Sequence, residues 1–264
     1  MKNNTVKSVN NWVDAVFVIS VKSFESRIQH IEREMSKHNI SFKFMFLHDS
    51  DDIDDSIIDS VFAPSTLERN HQSLILKNIA IWHEAAANNY KRILVFEDDV
   101  ILSNDFNVRF DEAMTAAKKL SDGWLIFLGG SDVKVPDSFF LEKGPLIKLT
   151  MSTAEGLVSD LTAVQRRLKW IAHNKITLPA DQLIQAIDKE TLTPHFWLTK
   201  SIVKQGSTTG LFESKLDAHR KKHSRTFTII RNQWNLFRRQ ILRRQFVQIC
   251  AKIKHLIIQK KYVE

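Results

Sequence analysis

Between residues 15 and 128 the sequence alternates short β-branched or aromatic runs with segments of helical period. That alternation restricts the chain to a sheet covered by helices. Ala15-Val-Phe-Val-Ile-Ser-Val21 reads as a buried strand. Phe24, Ile28, Ile31 and Met35 then keep helical spacing, with Ser23 placed to cap that helix. Phe42, Phe44 and Phe46 alternate across Ser41 to Leu47 and give a second strand. Strand, helix and strand in this order favour a parallel sheet. Leu74 to Ala87 reads as a helix with Ile75, Ile79 and Trp82 on one face, Trp82 in the core. Arg92 to Phe96 is a strand that runs straight into Glu97-Asp98-Asp99. Asn104 or Asp105 opens an amphipathic helix through Leu120, and Trp124 to Leu128 is a strand stopped by Gly129-Gly130. Ser159 to Ala172 has a helical pattern, Pro179-Ala-Asp181 opens a further helix, and Pro194 to Gln205 is extended. The expected fold class is α/β.

Composition narrows what such a fold is used for. The chain has 264 residues and is 43% apolar, enough for a sizeable core. Its single cysteine, Cys250, allows no internal disulfide. Met1 to Asp14 is polar, and the longest apolar run, Ala15 to Val21, is far too short to span a bilayer. The expected location is the cytoplasm, either free or on the inner face of a membrane. Charge is divided unevenly. Residues 218–264 hold 13 Lys or Arg against one acid, whereas residues 1–217 hold 25 basic against 29 acidic residues. A body of residues 1–217 and a basic tail of residues 218–264 follow from this composition.

In an α/β sheet, ligands bind beyond the carboxyl ends of the strands, which is where Glu97-Asp98-Asp99 falls. Residues i and i+2 of an extended chain point to one side, so Glu97 and Asp99 can face one site together. Neighbouring carboxylates repel unless a cation relieves them, and their oxygens suit hard ions such as Mg²⁺ and Mn²⁺. The plainer alternative is an acidic strand end that starts a polar loop or approaches a helix N-terminus.

Several segments, in one colinear order over residues 15–210, resemble glycosyltransferase family 25, the group that includes lipooligosaccharide β-1,4-galactosyltransferases. They are Val18-Ile-Ser-Val21 with Arg27 and His30-Ile31, Phe42 to Asp49, and Trp82 with Val95-Phe-Glu-Asp-Asp-Val100. Ser152-Thr-Ala154 with Ser159, Pro179-Ala-Asp181, and Val203-Lys-Gln205 with Ser207 continue the series. Two positions depart from the pattern: Lys77 and Asn78 stand where the family has serine and histidine, and Glu155-Gly156 where it has Gly-Tyr.

The resemblance implies a GT-A fold, a Rossmann-like nucleotide-binding half merged with an acceptor half. It implies a UDP-sugar donor, an inverting displacement, and a divalent metal, Mn²⁺ or Mg²⁺, bound through the Glu-Asp-Asp segment. On that basis Asp99 and then Glu97 are the expected metal ligands, with His219 or His195 as a distal one. Ser20, Arg27, Asp49 (or Asp51) and Asp98 are the expected donor-binding residues, Arg27 toward phosphate and Asp98 toward sugar or ribose. Asp181 is the first candidate for the base that takes the acceptor proton, and Glu155 the second. Ser207 and Thr208 offer hydroxyls to a sugar or phosphate, and Trp197 offers a more open aromatic face. An expected alternative is a catalytically idle protein of the same fold that binds saccharide or nucleotide at the membrane.

In the tail, Ile230, Trp234, Phe237, Ile241, Phe246, Ile249, Ile253 and Leu256 recur mostly at helical spacing among arginines and lysines. This is a cationic amphipathic helix suited to an anionic leaflet, where a lipid-linked saccharide acceptor would lie. The apolar stripe could equally pack on the body or on another subunit. Nucleic-acid binding leaves the acidic, sheet-forming body unexplained and is not expected.

Overall fold

The computed structural model describes residues 6–64, 67–130, 135–150, 153–212 and 225–261. Strand β1 (Ala15–Ile19) is buried at every residue. Val16 and Val18 face one apolar cluster while Ala15, Phe17 and Ile19 face another. A strand covered on both faces reads as a continuous apolar run rather than an alternating one. Helix α1 (Glu25–Lys37) returns the chain to β2 (Lys43–Met45), which pairs parallel with β1. Ser23 does not cap α1. Phe24 holds the N-cap position and makes no side-chain cap bond.

Helix α2 (Asp55–Val61) is capped by the Asp54 carboxylate, which accepts the Ser56 N–H. Helix α3 (Arg69–Ala87) starts five residues before the Leu74 expected from periodicity. Strand β3 (Arg92–Glu97) pairs parallel with β1, and the short β4 (Val100–Leu102) follows the acidic triplet. Helix α4 (Phe106–Ala117) and β5 (Leu125–Phe127) come next, then β6 (Leu146–Lys148).

The expected parallel sheet is in fact mixed. Gly156–Asp160 forms a strand, β7, placed between β3 and β5 and antiparallel to both. Helix α5 (Leu161–Ile171) follows with no intervening loop. Asp160 ends the strand and caps the helix, its Oδ1 accepting the Ala163 N–H at 2.8 Å. Helix α6 (Ala180–Glu190), β8 (His195–Leu198) and β9 (Val203–Gln205) complete the body, and α7 (Gly206–Thr209) is a single turn. The main sheet runs β2-β1-β3-β7-β5-β8-β6, and β4 and β9 form a separate antiparallel pair. A parallel, Rossmann-like half (β2-β1-β3) is thus merged through β7 with a mixed half, the layout of the expected GT-A class.

Helices α3, α5 and α6 cover the face with Phe17, Trp82 and Val95; α1 and α4 cover the face with Val18, Phe96 and Phe110. Trp82 is core, as expected. Truncating a ring such as Phe110 to Ala would cost about 3–5 kcal/mol. In the tail, α8 (Arg225–Leu236) and α9 (Arg243–Lys261) are joined by a widened π-helical segment, Phe237–Leu242. Arg243 pairs with Asp137 at 2.6 Å, and Arg244 donates to the Thr199 carbonyl at 3.1 Å. The tail therefore meets the body through Arg243, Arg244, Val247 and Gln248, while Ile230, Trp234, Phe246 and Ile249 stay exposed. The 217/218 boundary itself lies outside the described residues. Among the described residues, no helix is long and apolar enough to cross a membrane.

Candidate active site

Strands β1 and β3 are parallel, so their carboxyl ends share one edge, with Ile19 opposite Glu97. The next residue of each chain, Ser20 and Asp98, therefore meet: Ser20 Oγ donates to Asp98 Oδ2 at 2.8 Å. Arg27, from the first turns of α1, donates to Asp98 Oδ1 at 2.5 Å. Its guanidinium lies over the Phe24 and Phe212 rings, 5.4 and 5.2 Å from their centroids, which fixes its plane.

Glu97 and Asp99 turn the other way. Gln205 Nε2, at the end of β9, donates to Glu97 Oε2 at 2.9 Å, and the Ser207 N–H donates to Asp99 Oδ2 at 2.9 Å. Strand β3 ends at Glu97 and Asp98-Asp99 form a turn, so the extended chain expected here is absent; the turn sets Asp98 with β1 and α1, and its two neighbours with β9 and α7. Gly206 makes the second contact possible. Its N–H donates to the Asp99 carbonyl at 2.6 Å, and a Cβ there would stand 2.6 Å from that same oxygen.

These residues line a cleft of about 120 Å³ between the ends of β1 and β3 and helix α3. Helix α3 contributes Asn70, Ser73, Leu74 and Lys77. Lys77 is buried and ion-paired with Asp49, which also accepts the Lys22 N–H at 3.0 Å. Burial pulls the Lys77 ammonium below its usual range, and the hydrogen bond and charge of Asp49 oppose this. Lys77, a departure from the resembled pattern, thus becomes the basic wall of the cleft, with Asp49 behind it.

Glu97, Asp99 and Glu155 crowd together here. Burial, followed by the charges of Asp99, Glu155 and Asp98, pushes Glu97 up to about 8 against the pull of Gln205. Burial also raises Asp99, opposed by the Ser207 N–H and Arg27. Asp99 Oδ1 is buried with no hydrogen-bond partner among the described residues. Glu155 lies beside this group. Its backbone carbonyl accepts the Glu97 N–H at 3.3 Å, and its Oε1 accepts the Gly130 N–H at 3.0 Å. Glu97 and Asp99 are the residues able to offer oxygen ligands to a cation. Among the described residues no group of three or more His, Cys, Asp or Glu side chains is arranged as a complete metal cage.

Ser20, Arg27, Glu97, Asp98 and Asp99 are thus gathered at one cleft, with Asp49 and Glu155 directly behind its lining. Asp181, half-buried in the first turn of α6, is not part of that lining. Ser207 holds Asp99 through its backbone N–H and its side chain, while Thr208 Oγ1 donates to the Gln205 carbonyl at 2.8 Å. His195 is held 2.8 Å from Asp188 in the interior. Trp197 is not open: it is 2% exposed and stacked on Phe127. His219 lies outside the described residues. Sequence reasoning did not find Phe24, Asn70 or Ser73 as cleft residues. Phe24 was legible only as an apolar helix position, and the polar residues of α3 precede the helix as read from periodicity.

Residues 13–134 match the family model described as "Glycosyltransferase family 25 (LPS biosynthesis protein)". The chain is 26% identical over 204 residues to "Inactive glycosyltransferase 25 family member 3" of Homo sapiens, covering 70% of this chain and 34% of that protein. It is 24% identical over 202 residues to the "Probable inactive glycosyltransferase 25 family member 3" of Rattus norvegicus, covering 70% of this chain and 35% of that one. It is 28% identical over 117 residues to "Lipooligosaccharide biosynthesis protein lic2B" of Haemophilus influenzae, covering 42% of this chain and 43% of that protein. The chain thus spans about a third of the length of the first two relatives. Among solved structures, mouse xyloside xylosyltransferase 1 in its apo form aligns with a TM-score of 0.38 at 13% identity, over 68% of this chain and 71% of that one. With the Val95-Phe-Glu-Asp-Asp-Val100 segment at the edge of its cleft, the chain is similar over residues 13–134 to glycosyltransferase family 25.

Proposed function

We propose that this protein is an inverting, metal-dependent glycosyltransferase that moves a hexose, galactose in the first instance, from a UDP-sugar to a saccharide of lipopolysaccharide or lipooligosaccharide. The observation that carries this reading is the like-charged group Glu97, Asp99 and Glu155 beside a cleft, with Asp99 Oδ1 buried and without a hydrogen-bond partner among the described residues. Two carboxylates with room for substrate phosphate suit Mg²⁺ or Mn²⁺, which often take one or two protein carboxylates and fill the remaining positions with water and phosphate. When bound, such an ion would supply charge neutralisation to the departing diphosphate.

The chain's own residues supply the rest. Arg27, held flat between Phe24 and Phe212, and Lys77 give the cleft positive charge for a nucleotide diphosphate. Ser20 and Arg27 orient Asp98 toward a sugar or ribose hydroxyl. For the base, the reading favours Glu155 over Asp181, because Glu155 adjoins Glu97 directly behind the cleft lining, whereas Asp181 lies in the first turn of α6. The tail, rich in arginine and with Trp234, Phe246 and Ile249 exposed, suits attachment to the inner face of an anionic bacterial membrane at about 1 kcal/mol per basic residue. A lipid-linked acceptor would be met there.

The test is a panel of UDP-sugars offered with Mn²⁺ and deacylated lipooligosaccharide, with products read by mass spectrometry. Transfer of one hexose that stops on chelation is the expected result. One observation favours a second reading: Arg27 already occupies Asp98 as an ion pair, and relatives carry the word inactive in their names. A catalytically idle protein would bind UDP in calorimetry and form no product with any donor.

A further inference from the structure

A second cavity, of about 470 Å³, lies between the body and the tail. That volume is within the range of small-molecule sites. Its lining includes Gly130, Phe139, Trp197, Lys200, Lys204 and Arg244 and, among the described residues, no Asp or Glu. Lys200 Nζ lies 3.1 Å from Asp105, and Arg244 donates to the Thr199 carbonyl. Two donors on lining residues, Trp197 Nε1 and Arg244 Nε, are buried with no hydrogen-bond partner among the described residues. The cavity is therefore cationic and part aromatic, a chemistry that matches an anionic, hydroxyl-rich molecule.

Its position relates it to the first cleft. Gly130 holds a positive φ of 84°, and a side chain there would collide with the Trp197 ring, so glycine lets the ring lie against the backbone. The Gly130 N–H binds the Glu155 carboxylate, and the Glu155 carbonyl binds the Glu97 N–H. One residue thus links the wall of the second cavity to the carboxylates of the first. We propose that the second cavity is the acceptor site and binds a phosphorylated saccharide, with Lys204, Lys200 and Arg244 reading its anionic groups. This rests on the transferase reading for the word acceptor; the binding itself does not need turnover.

The experiment uses the full chain and titration calorimetry with four probes: phosphorylated core oligosaccharide released by deacylation of lipopolysaccharide, the same saccharide after phosphatase treatment, inorganic phosphate, and UDP. The expected result is binding of the phosphorylated saccharide that weakens at least about tenfold in Lys200→Glu/Lys204→Glu, since one charge-assisted hydrogen bond is worth roughly that factor. UDP binding stays unchanged in the same variant. Both lysines are more than half exposed or at the surface, so the variant should fold, and unchanged UDP binding reports that it has. Equal saccharide affinity in variant and wild type would overturn the proposal, as would inorganic phosphate or dephosphorylated saccharide binding as tightly as the phosphorylated one. Saccharide binding with no UDP binding in wild type would support this site and sink the donor reading instead.

Discussion

At the two ends of β7 the chain buries charge, with opposite outcomes. Near its carboxyl end Arg167 donates to both oxygens of Asp188, at 2.8 and 2.6 Å, and to Ser159 Oγ at 2.9 Å, while His195 lies 2.8 Å from the same carboxylate. Burial alone would raise Asp188, yet Arg167 and His195 outweigh it and hold the carboxyl below its usual range. Near the amino end of β7, Glu155 joins Glu97 and Asp99, and there burial, and after it the charges of neighbouring carboxylates, push Glu97 and Asp99 up. One network pairs its carboxylate with cations and is closed; the other crowds like charges together and opens on a cleft. Structural charge is paired on folding, whereas charge left in excess beside a cleft needs something that arrives later.

The largest test of this contrast is Arg167→Leu. It strands Asp188 in the interior, and urea unfolding should show a loss of about 3–5 kcal/mol. A loss below 1 kcal/mol would mean that the pair is not truly desolvated, and the comparison would break. Asp99→Asn should do the reverse. Removing one of several crowded carboxylates should leave stability unchanged or higher, while hexosyl transfer falls by about 10²–10³-fold, the usual cost of one lost electrostatic contact in a transition state. Retained turnover in a folded Asp99→Asn protein would remove the ligand role.

Glu97 sharpens the contrast through pH. Its folded value, about 8, lies above the ordinary 4.5. The native state therefore holds a proton that the unfolded chain releases. The stability due to that proton is full below pH 4.5 and is lost as pH rises through about 8. Thermal melts across this window should fall with pH in wild type and flatten in Glu97→Gln. Added Mn²⁺ should restore wild-type stability most strongly at the alkaline end, where the carboxylate is bare. A Mn²⁺ effect of equal size in Glu97→Gln would show that the ion binds elsewhere.

How much of this was legible beforehand follows from how local each signal is. Strands β1 and β3 and helix α4 announce themselves by runs and periods within ten residues, and the carboxylates sit at a strand end that any parallel sheet makes a binding edge. Strand β7 was not legible. Gly156-Leu-Val-Ser-Asp160 has only two apolar residues, and Asp160 serves as strand end and helix cap at once, so a helical reading absorbs it. Its place is set by β3 and β5, which are distant in sequence. The same holds for the site. Glu97 and Asp99 are legible as carboxylates at a strand end, but the turn that places them is not, and their partners Gln205 and Ser207 arrive through β9, more than a hundred residues later. Trp197 misled because an aromatic near charged residues reads as a platform, whereas a ring stacked on Phe127 and backed by Gly130 is interior.

Gln205 offers the smallest and finest test. Its amide donates to Glu97 Oε2 at 2.9 Å and is the one named influence pulling the Glu97 carboxyl down. A single hydrogen bond of this kind is worth about 1 kcal/mol, which corresponds to less than about one pH unit. In Gln205→Ala the stability loss attributed to Glu97 should therefore move to higher pH by that amount, with the low-pH melting temperature almost unchanged. Carbon-detected NMR of the Glu97 carboxyl reads the same shift directly. A move to lower pH would mean that water replaces the amide as a better donor. The carboxylates would then already be relieved by solvent, and the charge left over at the amino end of β7 would have no need of a cation.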